Sequence, residues 1–225
     1  MGRAFDIVGF DLDGTLLDTS ASLTRAVNYT LAKAERPPLH IDEVRPMIGG
    51  GAKRMLEKGL EASGGYDPED MRRLYPILLD FYGKNISEGS VPYPGLIDAL
   101  DRLEADGVRL TIVTNKFESF AVKLLDEVGL LGRFAAVIGG DTMGKGNAKP
   151  SAMPIREMIV RAGGGTAAFL GDSIYDMLAA KNAGIPSIAV SFGFLMGPVE
   201  ELAADAVIDH YDALIPTLAK LAGRS

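Results

Sequence analysis

No cysteine occurs in this 225-residue sequence, which excludes disulfides, thiolate metal sites and a cysteine nucleophile without by itself identifying a compartment. Any metal is left to oxygen ligands or to two histidines, His40 and His210, whose unrelated contexts read as ordinary surface or loop positions. No apolar stretch approaches the length needed to span a bilayer, and Met1-Gly-Arg-Ala-Phe-Asp6 leads into the first apolar run without the apolar core of a signal segment. A cytoplasmic protein with no membrane contact is therefore expected. Positive charge is scarce as well. A net charge of −7 disfavours nonspecific nucleic-acid binding, which is driven by neutralising phosphates, and no basic stripe interleaved with aromatics offsets it. Internal repeats and low-complexity segments are missing too. What remains is a chain with 47% hydrophobic residues, enough to bury a full core and to build one large domain plus a smaller one.

The apolar run Ile7-Val8-Gly9-Phe10 reads as a buried strand, and it ends in Asp11-Leu12-Asp13-Gly14-Thr15. Two carboxylates thus stand at the carboxyl end of a strand, the edge where open α/β sheets bind ligands. A polar turn would have the same local look, but the pattern repeats. Arg109–Val113 reads as a second strand that stops at Thr114-Asn115-Lys116, and Ala167–Leu170 as a third that delivers Gly171-Asp172-Ser173-Ile174-Tyr175-Asp176. Between them, Lys149-Pro150 follows a glycine-rich segment and is expected to open a helix, where proline's missing N–H costs least. A lysine, a threonine and several aspartates are the parts that phosphoryl transfer through a covalent aspartyl intermediate requires, since most of that catalysis is positioning and charge neutralisation. Crowded carboxylates call for a hard cation, and Mg2+ suits oxygen ligands of this kind.

These four motifs, in order from residue 11 to residue 176, resemble those of the haloacid dehalogenase superfamily phosphatases. The resemblance implies that Asp11 is the nucleophile and Asp13 the general acid and base. It also implies that Thr114 binds phosphate and that Lys149 steadies the nucleophile and the transferring phosphoryl group. Asp172 would be a direct metal ligand and Asp176 a support for the metal site, with the Asp11 side chain and the Asp13 backbone carbonyl completing the protein's share of the Mg2+ shell. Dehalogenases of the superfamily lack an aspartate at the position of Asp13, so carbon–halogen hydrolysis is disfavoured.

From Asp18 to about Pro94 strand signals vanish, and amphipathic stretches appear around Ser22–Lys33, Ala52–Ala62 and Pro68–Asn85. Asp18-Thr19-Ser20 reads as a helix N-cap. The expected division is an α/β catalytic core of residues 1–17 and 92–225, with a helical domain of residues 18–91 inserted after the first strand. Hinges are expected near Thr15–Asp18 and Glu88–Pro92. This insertion resembles the cap of the superfamily subgroup that holds phosphoglycolate phosphatases, β-phosphoglucomutase and several sugar-phosphate phosphatases. Its substrate-reading loop would be Arg45–Arg54, in which glycines such as Gly50 and Gly51 expose backbone N–H groups and Arg45, Lys53 and Arg54 offer positive charge, alongside Asn115 from the core. Ile48-Gly49-Gly50-Gly51 looks most like phosphoglycolate phosphatases, whereas Ser151-Ala152 departs from the Asp-Pro that often follows the family's Lys-Pro, and Tyr175 fills a variable position.

Further strands are expected at Ala135–Ile138, with Asp141 either a loop cap or a support near the lysine loop, at Ile185–Val190 and at Ala206–Ile208. They complete a sheet of about six strands alternating with helices, closed by a helix over Tyr211–Ala222. Gly193–Gly197 reads as a loop at the same edge with no assigned chemistry. The resemblance implies a Rossmann-like parallel core. The expected activity is Mg2+-dependent hydrolysis of a small phosphorylated metabolite, best 2-phosphoglycolate, by a monomer or homodimer. Sugar phosphates and pyrophosphate are alternative substrates, a β-phosphoglucomutase-like phosphotransferase is an alternative reaction, and a noncatalytic binding protein is disfavoured because every reacting group is retained.

Overall fold

The computed structural model describes residues 3–223. Strand β1 (Ile7–Phe10) leads into a two-residue strand β2 (Leu17–Asp18), followed by helices α1 (Ser20–Ala32), α2 (Ile41–Val44), α3 (Ala52–Ala62) and α4 (Pro68–Lys84). The chain returns through β3 (Val91–Pro92) and then alternates: α5 (Leu96–Ala105), β4 (Arg109–Val113), α6 (Glu118–Glu127), β5 (Phe134–Ile138), α7 (Met153–Arg161), β6 (Ala167–Gly171), α8 (Ile174–Ala183) and β7 (Ser187–Val190). Strand β8 (Ala206–Ile208) and helix α9 (Leu214–Ala222) close it. This is a Rossmann-like α/β fold with a helical insertion after its first strand.

The main sheet runs β5-β4-β1-β6-β7-β8, and every pairing in it is parallel. Parallel strands are covered on both faces, so β1 carries no polar residue at all. Its side chains alternate between two cores. Val8 and Phe10 join the larger cluster with Leu100, Leu124 and Leu214, while Ile7 joins Met158, Phe169 and Ala180 on the other face. Gly9 also faces α7, and a Cβ there would lie 2.4 Å from Met158 Sδ. Leaving β1, the chain winds outward to β4 and β5 and then returns to place β6 on the opposite side of β1. That reversal opens a crevice at the carboxyl ends of β1 and β6.

The two crossings between sheet and insertion are tied together. Strands β2 and β3 pair antiparallel, Leu17 with Pro92 and Asp18 with Val91, so the expected hinge segments form a small ribbon. Asp18 Oδ1 accepts hydrogen bonds from Ser20 N at 2.9 Å and Ser20 Oγ at 2.6 Å, one residue before the N-cap Thr19, whose own side chain does not cap α1. The insertion has its own apolar centre in Val27, Leu31, Leu56, Leu60, Leu74 and Leu78, all nearly fully buried.

Several boundaries differ from the sequence reading. Helix α2 is too short to generate a periodic signal and was not expected. The helix after Lys149 begins at Met153, with Pro154 in its first turn, because residues 148–151 are held in a turn by Ser151 N donating to Ala148 O at 2.9 Å. Pro150 therefore lies outside the helix. Strand β7 starts at Ser187 rather than Ile185, and Tyr211–Ala213 form a single 3-10 turn before α9. Both histidines are N-caps, His40 of α2 and His210 of this turn: their Nδ1 atoms accept from Asp42 N and Asp212 N. Asp141 is a loop cap, accepting from Glu118 N at 2.8 Å.

Tyr211 is fully buried and donates its hydroxyl to Thr15 O at 2.8 Å, fixing the turn between β1 and β2. Tyr211→Phe should leave that carbonyl without its partner and lower unfolding free energy by about 1–2 kcal/mol. Urea denaturation would measure it, and an unchanged midpoint would show the bond to be dispensable.

Candidate active site

Strands β1, β4 and β6 are neighbours in register, so their carboxyl ends set Asp11, Thr114 and Asp172 side by side at one edge. Lys149 reaches the same edge from the loop before α7. Its Nζ donates to Asp11 Oδ1 at 2.7 Å, to Asp176 Oδ1 at 2.5 Å and to Val113 O at 2.7 Å, which uses all three ammonium protons. Burial alone would depress the lysine's pKa, but the Asp11 and Asp176 carboxylates hold it above the usual value. Asp176 lies in the first turn of α8, where its Oδ2 also accepts from Ser173 N at 3.0 Å and Ser173 Oγ at 2.5 Å.

One lysine faces three buried carboxylates, so their negative charge is in excess. Burial pushes Asp11 up to about 7, against the pull of Lys149 and with a further push from Asp176. Burial likewise raises Asp172 well above the carboxylate range, aided by the charges of Asp11 and Asp176. Asp172 Oδ2 accepts from Phe194 N at 2.6 Å, while its buried Oδ1 has no hydrogen-bond partner among the described residues. One oxygen from each of Asp11, Asp172 and Asp176 lies within 4.8 Å of the others. An unpartnered carboxylate oxygen in an all-oxygen cluster of excess negative charge fits a hard divalent cation. Glycines pack this corner. Gly14 has φ +84°, and a Cβ on it would fall 2.1 Å from Asp172 Oδ2; a Cβ on Gly193 would fall 2.3 Å from Asp172 Cβ.

Asp13 belongs to a second, separate charge pair. Lys116 Nζ lies 2.8 Å from its Oδ1 and 2.7 Å from its Oδ2, and Thr19 Oγ1 donates to Oδ1 at 2.7 Å. Lys116 also donates to the Tyr82 hydroxyl on α4 at 2.7 Å. Burial opposes the charge on Lys116, but Asp13 outweighs it and the lysine's pKa rises; burial pushes the Tyr82 hydroxyl up to about 12. Thr114 is buried, and its Oγ1 accepts from Lys116 N at 3.2 Å.

Asp11, Asp13 and Thr114 open into a cavity of about 210 Å³ between the sheet edge and the inserted helices. Gly50, Gly51, Lys53 and Asn115 line it. Asn115 spends its Nδ2 on Gly49 O at 3.0 Å and Lys149 O at 3.2 Å, joining the glycine loop to the core. Arg45 and Arg54 do not line the cavity. Arg45 lies 3.7 Å from Asp18 and 3.4 Å from Asp42, and the Arg54 guanidinium sits 5.9 Å from the Tyr175 ring centroid. Two participants were missed in the sequence. Lys116 was visible as the last residue of Thr114-Asn115-Lys116, but nothing in the motif gives its partner. The contact from Phe194 is a backbone N–H, which no side-chain pattern reveals.

Residues 8–190 match the family model of the haloacid dehalogenase-like hydrolases. The chain belongs to this family. As a haloacid dehalogenase-like hydrolase it is 41% identical over 207 residues to a phosphoglycolate phosphatase of Caulobacter vibrioides, covering 91% of this chain and 86% of that one. A phosphoglycolate phosphatase of Agrobacterium fabrum is 42% identical over 212 residues, with 93% and 90% covered. In fold, the hydrolase superposes on the crystal structure of a predicted phosphoglycolate phosphatase from Haemophilus somnus with a TM-score of 0.87 at 24% identity, covering 96% of this chain and 98% of that one. Among the described residues no helix is long and apolar enough to cross a membrane.

The charge balance of the cluster can be tested without any assay of turnover. Lys149→Met should destabilise the metal-free protein by about 3–5 kcal/mol, the cost of breaking a buried ion pair from one side. Chemical denaturation in EDTA would read this out, and a loss below about 1 kcal/mol would mean that Lys149 is not what holds the carboxylates together.

Proposed function

We propose that this hydrolase is a Mg2+-dependent phosphoric monoester hydrolase acting on 2-phosphoglycolate through an aspartyl-phosphate intermediate. The observation that carries the reading is the pair of aspartates two residues apart, each with its own lysine: Asp11 on Lys149 inside the acidic cluster, and Asp13 on Lys116 at the cavity. The names of the Caulobacter and Agrobacterium relatives support the substrate.

Asp11 and Asp172 would hold Mg2+ through side-chain oxygens, Asp13 through its backbone carbonyl, and Asp176 would support them. When bound, the ion would supply positive charge against which phosphate oxygens and the Asp11 carboxylate can approach one another. Asp11 attacks phosphorus, a new Asp11 O–P bond forms, and the ester P–O bond breaks. Asp13, a carboxylate paired with Lys116 in this structure, must enter the step protonated, and it gives that proton to the departing oxygen. It then takes a proton from the water that attacks phosphorus, releasing inorganic phosphate and restoring Asp11. Thr114 binds a phosphoryl oxygen, and Lys149 keeps Asp11 oriented throughout.

Residues 18–91 act in this reading as a cap over the core of residues 1–17 and 92–225. The β2–β3 ribbon lies at both boundaries, and the Asn115–Gly49 hydrogen bond is a contact that must break for the cap to lift. Closure would exclude water until the phosphoryl group is transferred. The protein works in the cytoplasm as a monomer or homodimer on a small phosphorylated metabolite, without nucleic acid. A phosphotransferase would use the same aspartates and is separated by its product, an isomerised sugar phosphate in place of free phosphate.

Phosphate release should be Mg2+-dependent, abolished by EDTA, and strongest with 2-phosphoglycolate in a panel that includes pyrophosphate and sugar phosphates. Asp11→Asn should lower turnover on the order of 10,000-fold with folding intact; metal-dependent activity persisting in that variant would overturn the mechanism. Metal binding has its own readout. Mg2+ at about 100 times its dissociation constant should add about 2.7 kcal/mol to the unfolding free energy of the wild type, and Asp172→Asn should lose most of that gain. An equal gain in both proteins would remove Asp172 from the metal site.

A further inference from the structure

The substrate-reading groups of this site are expected on the inserted glycine loop, yet the basic side chains there are poorly placed. Arg45 and Arg54 lie outside the cavity, and Lys53 is two-thirds exposed, with Glu57 4.0 Å away. The other ammonium lining the cavity is that of Lys116, whose side chain is only 6% exposed. It stands 2.7–2.8 Å from the carboxylate of Asp13. A proton donor must lie within about 2.6–3.2 Å of the oxygen it protonates, so the leaving oxygen comes within about 6 Å of Lys116 Nζ. In 2-phosphoglycolate the carboxylate is one methylene beyond that oxygen. Lys116 Nζ donates to Asp13 Oδ1 and Tyr82 Oη and also lies 2.7 Å from Asp13 Oδ2, so its third ammonium proton is one that Asp13 Oδ2 and a ligand carboxylate would share.

The rest of the cavity points the same way. Beyond the aspartates much of its wall is apolar, with Leu23, Met55, Leu78, Phe117 and Phe120 beside the polar Tyr75, Tyr82 and Asn115. A sugar would lay several of its hydroxyls against these apolar side chains and lose hydrogen bonds to water there. A two-carbon acid has one methylene for the apolar wall and one charge for the lysine.

We propose that Lys116 is the specificity-determining residue of this enzyme, binding the carboxylate of the leaving group beside Asp13 and so selecting small carboxylated phosphomonoesters over neutral or polyhydroxylated ones. The inference rests on the phosphatase reading above and adds to it the group that recognises the acid. Because the same ammonium also orients Asp13, activity alone cannot separate the two roles, but a ratio can.

Ethyl phosphate has the leaving-group length of 2-phosphoglycolate without its charge. The experiment compares kcat/KM on these two esters, and on glucose 6-phosphate, for the wild type, Lys116→Met and Lys116→Arg. The wild type should favour 2-phosphoglycolate. Lys116→Met should cut the preference over ethyl phosphate by about thirtyfold, roughly the worth of a charged hydrogen bond, chiefly by raising KM for the acid. Loss of Asp13 orientation would instead lower kcat on both esters together and leave the ratio in place. Lys116→Arg keeps the charge and should retain most of the preference; this arm stands if the methionine variant fails to fold. A preference undiminished in Lys116→Met, lost in Lys116→Arg, or collapsing instead in Lys53→Met overturns the assignment. Failure of the substrate reading looks different, because a wild type that releases phosphate equally from both esters has no acid preference for any residue to confer.

Discussion

A single buried ammonium set against three buried carboxylates is the constraint from which the rest of this site follows. Lys149 satisfies Asp11 and Asp176 directly, but its one charge cannot neutralise Asp172 as well, and one oxygen of Asp172 is left without a partner. A parallel sheet makes such crowding possible. It buries its strands on both faces and exposes their ends at one edge, so three strands from distant parts of the chain deliver acidic or hydroxyl groups to one place. The fold thereby concentrates negative charge where water cannot dilute it, and the pKa values of Asp11 and Asp172 rise in consequence. A site of this kind answers by taking up protons or a cation. The close glycines Gly14 and Gly193 leave room for the Asp172 side chain at this corner.

Asp11 and Asp13 are two residues apart in sequence and belong to different parts of the molecule. Asp11 is tied to Lys149 and, through it, to the sheet at Val113. Asp13 is tied to Thr19 at the start of α1 and, through Lys116, to Tyr82 on α4. The proposed nucleophile is thus anchored to the core, whereas the proposed acid and base is anchored to the inserted helices. This separation matters because the two groups need opposite things: one must remain a carboxylate beside phosphorus, and the other must exchange a proton. Placing one within the core and the other against the cap lets each environment be set by different residues.

Much of this was legible in the sequence. Buried parallel strands read as short apolar runs, and the polar residues that end them are then candidates for the site, which is how Asp11, Asp13, Thr114 and Asp172 could be picked out together. Helices α3 and α4 were legible for the same reason, being long enough to show a period. Position along the chain was weaker evidence for detail. Pro150 and Pro154 fit the start of a helix equally well, and only the turn across residues 148–151 decides between them. The charges of Arg45 and Arg54 were visible, but not their partners Asp18, Asp42 and Tyr175, which become neighbours only when the insertion folds. The Phe194 N–H had no signal to offer, since every residue but proline carries one.

The division between core and cap also bears on where selectivity arises. The glycine loop supplies little charge to the cavity, and its close approach to the core is spent on a backbone contact, Gly49 O to Asn115 Nδ2. Gly51 has φ +85°, and a Cβ there would sit 3.3 Å from Asn115 O, so side chains are kept out of the loop where it meets the core. In the proposal made for Lys116, the loop serves as a cover and the lysine as the reader. Recognition falls to a charge already fixed beside the proposed general acid, and that placement links selectivity to chemistry. A leaving group held by Lys116 is held within reach of the Asp13 proton. Anything lacking the acid can enter the cavity but is not drawn to that position. Discrimination then arises from how tightly the acid is held, at a position that also brings its leaving oxygen to Asp13.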